Sequence, residues 1–487
     1  MNYVSTRNNK LNISGCEAIV RELSSNDNLF VPTVFPKLSK DDIARLENQD
    51  FPERAAFVMS LFLEEFSFDE LLDLTSKAYA TFDGDPCPLV NVDGAINFLE
   101  LWHGPSASSS DFGMAVLPYL LAACKKKLVN NSKNLVLVVS KPDIVKAACE
   151  SFKNVSDIKV LAFYPYNDLS AIQKLQMQTQ VGNNVDVSAL SGDFDDFRND
   201  INSLSKDQNF LDTLAQKGYE LTFANTESWG ALLPRIACFV SCYIDLLTSK
   251  QIAESEKFNV FASSDDFGNV IACVYAKKMG IPIGNIVCAT KGKDTIIEFF
   301  NKGAFDVKCK SKKDFLSTSN VERILFEVFE NDNQTLSGLL KNLETSGKIQ
   351  IDVDLLLQKL PFILAGFATE SEIKETIAVA NEEFDYVVDL NTATALSVFD
   401  DYNFETDDDT LPVIISTASP FTDPRPVLEA ISGIREKDEF NALKKLQEAT
   451  GILAPEHIAK LKESEIRFEK EIDKHQIKKT IFDYLGE

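Results

Sequence analysis

The sequence predicts an α/β fold: mostly parallel sheets covered by helices, a mostly helical segment ahead of them and a helical extension behind. Three observations carry this prediction. Short runs rich in β-branched residues alternate with helically periodic segments through the middle of the chain, the pattern of parallel strands between covering helices. The flanks instead show apolar residues at helical spacing. Length and composition, 487 residues with 45% apolar and 25% charged, are those of a globular chain of about two to four domains. The expected divisions are residues 1–95, residues 96–430 in two subdomains with the smaller at about 110–220, and residues 431–487.

Taken in order, the first stretch has a capping box, Ser39 with Asp42, ahead of Ile43-Ala44-Arg45-Leu46. Leu61, Leu63, Phe66, Phe68, Leu71 and Leu72 continue it at mixed helical spacing. The strand candidates are Leu135–Val139, Val160–Phe163, Val185–Val187, Phe258–Phe261 and Ile286–Cys288, with Tyr386–Val388 and Val413–Ile415 as later additions. Helical segments such as Ile271–Met279 separate them. Glu405–Asp409 reads as a solvated acidic loop. From Ile434 the chain is charged and amphipathic, broken mainly at Pro455, as expected of surface-packed helices.

Composition excludes several functions. The balance of 49 Lys+Arg against 74 Asp+Glu gives a net charge of −25, which repels phosphate backbones and excludes nucleic acid and anionic membrane as partners. Glycine is scarce, 20 in 487 against about 7% in average proteins, and neither glycine-rich nucleotide motif occurs. Three histidines without a His/Cys cluster predict no metal site. Nine dispersed cysteines and a polar Met1–Lys10 predict a cytoplasmic protein without a signal peptide. Cys238 and Cys242, four apart in the apolar run Ile236–Leu247, read as two small residues buried on one helix. Ala115–Cys124 is taken as the longest apolar run, too short for a bilayer.

The segment Leu101-Trp102-His103-Gly104-Pro105, followed by Ser106-Ala107-Ser108-Ser109-Ser110-Asp111-Phe112, resembles the H-G-P-T-x-A-F-K-D motif of threonine synthase, a pyridoxal-phosphate enzyme of fold type II. The likeness runs nearly end to end. Tyr3–Arg7 is similar to the family's Y-x-S-T-R, Gln173–Met177 to Q-x-x-Q-M and Phe194-Asp195-Asp196 to N-F-D-D. Tyr275–Gly280 and Ser319–Arg323 complete the series. The resemblance implies the tryptophan synthase β-like architecture and, for the family, conversion of O-phosphohomoserine to threonine and phosphate.

The departures fall on the chemistry. Ser110 stands where the resemblance places the lysine that forms the imine with the cofactor, and a hydroxyl forms none. Ser110-Asp111 is then expected to serve as a helix N-cap. The phosphate loop, G-N-F-G-N in the family, reads Asp265-Asp266-Phe267-Gly268-Asn269. A carboxylate about 4 Å from a phosphate charge costs about 4 kcal/mol at an effective dielectric near 20. The substrate loop T-S-G-D-T-G-S reads Ser140-Lys141-Pro142-Asp143-Ile144-Val145-Lys146, with proline and valine for the glycines; Pro142 still suits a first helical turn. Ser228 replaces the asparagine of S-I-N-W-G; Asn391 and Ser419 replace the histidines of P-H-T-A and T-A-H-P; Asp27-Asn28 replaces a G-G.

The leading expectation is therefore a threonine synthase-like pseudoenzyme without catalytic residues or bound pyridoxal phosphate, acting by binding or regulation. Its partner is unknown, with self-association or association with a genuine synthase left open. Asp265, Asp266 and Asp143 also raise a cationic ligand as an alternative to mere solvation. The rival is an active threonine synthase with a replacement lysine, for which Lys141 is the candidate. A cofactor-free reaction at His103 is the third reading; His457 and His475 read as surface residues.

Overall fold

In the computed structural model, residues 1–24, 29–167, 169–192, 194–306, 320–329 and 332–486 are described. Asp27-Asn28, Ser319 and the side chains of Phe194 and Asp195 lie outside what is described.

Two parallel sheets organise the chain. The larger has six strands in the spatial order Ile363–Ala368, Ile283–Lys291, Phe258–Ser263, Leu411–Ser416, Ile96–Glu100 and Leu89–Val92. All pairings are parallel except the last, an antiparallel edge. The smaller has five parallel strands in the order Glu471–Ile472, Val185–Leu190, Ile158–Pro165, Lys133–Val139 and Tyr219–Phe223. Their sequences explain the pairing: Phe258–Ser263 is buried along its whole length, as a central strand covered on both faces requires. Val260 lies opposite Ile286 and Val413, and the pairing with Ile283–Lys291 shifts by one residue between Phe258 and Val260.

The first 95 residues are not helical throughout. They open on a three-stranded antiparallel sheet of Asn8–Ile13, Tyr3–Ser5 and Phe30–Pro32, and Leu89–Val92 already belongs to the large sheet. Between these lie four helices, Gly15–Ser24, Lys40–Leu46, Phe51–Phe62 and Phe68–Tyr79; the second starts at the expected Ser39–Asp42 capping box. The strands expected at 135–139, 160–163, 185–187, 258–261, 286–288 and 413–415 are all present. Tyr386–Val388 is not a strand: it is a buried connection between helices Glu370–Phe384 and Leu390–Thr406. Its apolar residues are used for packing, Tyr386 stacking on Phe98 at 4.3 Å, and not for pairing. The acidic segment is only partly a solvated loop, because the preceding helix runs to Thr406 and Asp408 accepts hydrogen bonds from Asn259 and Tyr402.

Helix Trp229–Thr248, interrupted by Arg235 and Asp245, meets the length and composition of a membrane span. It is almost wholly buried inside the protein, packed against helices Phe51–Phe62, Ser110–Lys127 and Phe267–Lys278. Cys238 and Cys242 lie on it, both buried, and burial pushes the Cys242 thiol well above its ordinary range. The C-terminal extension carries helices Glu439–Thr450, Glu456–Ala459 and Ile477–Leu485, and its short strand Glu471–Ile472 adds to the edge of the smaller sheet.

Two ion pairs, one fully buried and one partly exposed at its arginine, tie the chain's beginning to helix Val321–Val328. Arg323 Nη2 donates to Glu22 Oε1 at 2.7 Å, and Glu22 also accepts the backbone N–H groups of Phe30 and Trp229. Arg7 Nη2 donates to Glu322 Oε2 at 2.8 Å, with Thr6 Oγ1 on the other carboxylate oxygen. The Tyr3–Arg7 and Asn320–Arg323 segments, quoted above as distant pieces of one resemblance, thus meet in space.

Candidate functional site

In parallel α/β sheets the ends of strands toward their C-termini carry the site, because loops and helix N-termini converge there. The residues singled out from sequence gather at such ends. Ser140–Asp143 follow strand Lys133–Val139, Ser264–Asn269 follow Phe258–Ser263, Thr417 follows Leu411–Ser416 and His103 follows Ile96–Glu100.

Ser110 is the first residue of helix Ser110–Lys127. The expected N-cap is displaced: Ser109 holds that position and makes no capping bond. Ser110 Oγ donates instead to Asp143 Oδ2 at 3.2 Å, across to the start of helix Pro142–Phe152. Asp111 points back to the preceding loop, where its Oδ2 accepts the Ser106 N–H and hydroxyl, both at 2.8 Å. Gly104 is required there, since a Cβ on it would lie 2.5 Å from the Asp111 carboxylate. Burial pushes the Asp111 carboxyl up to about 7, against the lowering effect of the Ser106 bonds.

In the loop Asp265–Asn269 the two carboxylates diverge. Asp265 is exposed. Asp266 turns inward, its Oδ1 paired with Arg235 Nη1 at 2.5 Å and its Oδ2 accepting the Ser109 hydroxyl at 2.6 Å. Burial alone raises the Asp266 pKa, but Arg235 and these hydrogen bonds outweigh it and hold the group below its ordinary range. Arg235 is 1% exposed and also donates from Nη2 to the Ser109 carbonyl at 3.3 Å. A Cβ on Gly268 would stand 2.4 Å from Arg235 Nη1, so the guanidinium lies directly against this backbone. Asp143 faces Asp266, and burial and that charge raise its pKa while Lys141 and Ser110 oppose them. Among the described residues, Arg235 Nε and both ends of the buried Asn269 amide have no hydrogen-bond partner.

Sequence reasoning missed Arg235. The signal was available: it is the one cation in the apolar helix Trp229–Thr248, and a lone guanidinium there requires a buried anion from elsewhere. Pro142 begins helix Pro142–Phe152 as expected, and Lys141, its N-cap residue, is exposed. The loop contributes a second, buried lysine, Lys146, bonded to Glu150 at 2.6 Å.

His103 stacks on Trp102 at 4.3 Å, and its Nε2 is 2.7 Å from Glu100 Oε2. The other Glu100 oxygen accepts the Tyr386 hydroxyl at 2.6 Å. No serine or cysteine side chain is bonded to the His103 ring among the described residues. The replaced positions have local partners: Ser228 Oγ returns to the Asn225 carbonyl, the Asn391 N–H meets Asp389, and Ser419 Oγ accepts the Phe421 N–H.

The threonine synthase N-terminus family profile matches residues 2–79. Threonine synthase-like 1 of Homo sapiens is 29% identical over 464 residues, covering 89% of this chain but 61% of the human protein, so the chain spans about three-fifths of that relative. Threonine synthase of Saccharomyces cerevisiae is 28% identical, covering 91% of this chain and 93% of its own. Among solved structures, yeast threonine synthase superposes with a TM-score of 0.85 at 24% identity, over all of this chain and 99% of that one. The pyridoxal phosphate-bound threonine synthase of Brucella melitensis superposes with a TM-score of 0.84 at 23% identity over the whole of both chains, and these two likenesses establish the fold. With the fold type II architecture shared, the chain is similar to threonine synthases and to threonine synthase-like 1 over nearly its whole length.

Proposed function

We propose that this protein is a catalytically inactive member of its family that works by binding or regulation, in the cytoplasm. One observation carries the reading: the side chain at the head of helix Ser110–Lys127 is a hydroxyl engaged with Asp143, where the family chemistry needs a free amine. Pyridoxal phosphate does not fit the residues present. Ser110 cannot form an imine, and the Ser109 hydroxyl and Arg235 Nη1 beside the loop are already engaged by Asp266, whose carboxylate would oppose a phosphate. The lysines of the neighbouring loop support the same view, Lys141 being exposed and Lys146 held by Glu150. The lone His103–Glu100 pair supports no nucleophilic mechanism. The proposal keeps a division into an N-terminal segment of residues 1–95, an α/β body of 96–430 and a C-terminal extension of 431–487.

The test is the visible absorption of the purified protein with and without added pyridoxal phosphate. We expect no absorbance above 400 nm, to the nearest ~10 nm, to survive dialysis, because that band requires an imine to a lysine. A yellow protein whose band shifts on adding O-phosphohomoserine would overturn the proposal in favour of a working synthase.

A further inference from the structure

We propose that the chain binds a free α-amino acid in a cavity of about 510 Å³ bordered by helices Phe51–Phe62, Phe68–Tyr79 and Trp229–Thr248. The ligand carboxylate meets Arg54, and its ammonium meets Gln49 and the carboxylates of Asp50 and Asp85. This cavity shares no residue with the strand-end site, so the inference does not depend on the loss of the imine-forming lysine.

The cavity is polarised, with its cation deep and two of its three carboxylates outermost. Arg54 is 8% exposed. Its Nε donates to the Leu46 carbonyl at 3.1 Å, and its Nη1 to Ser241 Oγ at 2.7 Å and Asp245 Oδ1 at 2.6 Å. Nη2 has no hydrogen-bond partner among the described residues. The open edge of a buried guanidinium is a carboxylate receptor, because charge-assisted bonds are about twice as strong as neutral ones. Asp50 and Asp85 are exposed, and each spends one oxygen on a backbone N–H, that of Glu53 at 3.0 Å and that of Cys87 at 3.1 Å.

Gln49 adds an unmet acceptor. Its Oε1 is buried in the cavity wall without a hydrogen-bond partner among the described residues, and a ligand N–H would satisfy it. Burial raises the Asp245 pKa, Arg54 opposes the rise and the charge of Asp85 adds to it, so a positive charge between these two acids relieves both. Asp50, Asp85 and Asp245 against Arg54 leave the lining a net charge of −2, which disfavours an anion alone. A cation alone leaves Arg54 Nη2 unmet. A zwitterion answers both vacancies at once. Phe51 and Tyr79 are buried in the same wall, and the Tyr79 hydroxyl is already given to the Phe112 carbonyl at 3.2 Å. These rings offer apolar surface, so the favoured amino acid has an apolar side chain.

The experiment is isothermal titration of the full chain with L-leucine, L-methionine and L-phenylalanine, each also as its N-acetyl and its carboxamide derivative. At least one free amino acid should bind with a Kd at or below about 1 mM, and both its derivatives at least about tenfold more weakly. Arg54 also holds Ser241 and Asp245, so the variants are chosen elsewhere. Gln49→Met removes the unmet acceptor, and Asp85→Asn removes a charge while keeping an oxygen for the Cys87 N–H. Each should weaken binding at least about fivefold and leave the thermal midpoint without ligand within about 2 °C of the parent. The proposal is overturned if none of the three binds by about 10 mM, or if either variant binds like the parent or fails to fold. It is equally overturned by a carboxamide that binds as tightly as the free acid, which marks a cation site, or by an N-acetyl derivative that does so, which marks an anion site.

Discussion

At the scale of single residues, the altered positions have acquired new partners. Ser110 bonds Asp143, and Asp266 bonds Ser109 and Arg235, so on the proposed reading a lysine at position 110 is not sufficient for activity. Ser110→Lys is expected to form no threonine from O-phosphohomoserine, because the phosphate donors stay committed to Asp266; recovery of activity by that change alone would show the Asp266 contacts to be easily displaced. Asp111 gives a prediction in pH. Its carboxyl is raised from 3.8 to about 7 by burial, so between those values the folded protein keeps a proton that the unfolded chain releases. Stability from this group is then fully present below about pH 4 and declines as pH rises to about 7. Asp111→Asn should remove that slope. Between about pH 5 and pH 8, denaturant midpoints should show the parent losing about 2 kcal/mol more than the variant; parallel profiles would refute the assignment.

At the scale of elements, the strands read correctly from sequence are those whose β-branched runs are buried on both faces, such as Lys133–Val139 and Phe258–Ser263. Those missed have weaker patterns. Ile363–Ala368 contains Gly366 and is half-buried along most of its length, and Leu89–Val92 is an edge strand. Tyr386–Val388 misled because burial without pairing leaves the same apolar signature as a strand. At the site, positions were readable from motif order, whereas the Arg235–Asp266 pair joins two helices with no shared periodicity and emerges only when they pack. The Glu22–Arg323 pair is the corresponding joint outside the site, with both side chains 2% exposed or less. Burial pushes the Glu22 carboxyl up to about 7 against the pull of Arg323, so this carboxylate depends on its partner. Arg323→Met should lower stability by about 3–5 kcal/mol in urea unfolding, and Glu22→Met added to it should restore much of the loss. A single-variant loss under about 1 kcal/mol would mean that water replaces the arginine.

At the scale of the molecule, the net charge of −25 makes the compact state repel itself. Screening shortens that repulsion to about 10 Å at 0.1 M salt. The thermal midpoint should therefore rise by a few degrees, about 2–4 °C, between low salt and about 0.3 M sodium chloride; a falling midpoint would show that local ion pairs outweigh the global charge. The joint between the chain's first residues and helix Val321–Val328 also sets an order in time. Arg323 and Glu22 are 301 residues apart, and Arg7 and Glu322 are 315 apart. At about 5–20 residues per second, a ribosome takes roughly 15–60 s to pass from one partner to the other. Throughout that interval Glu22 lacks Arg323, its buried ion-pair partner. The Glu22 segment is thus made well before the helix that completes it, and until then its carboxylate is without its buried partner.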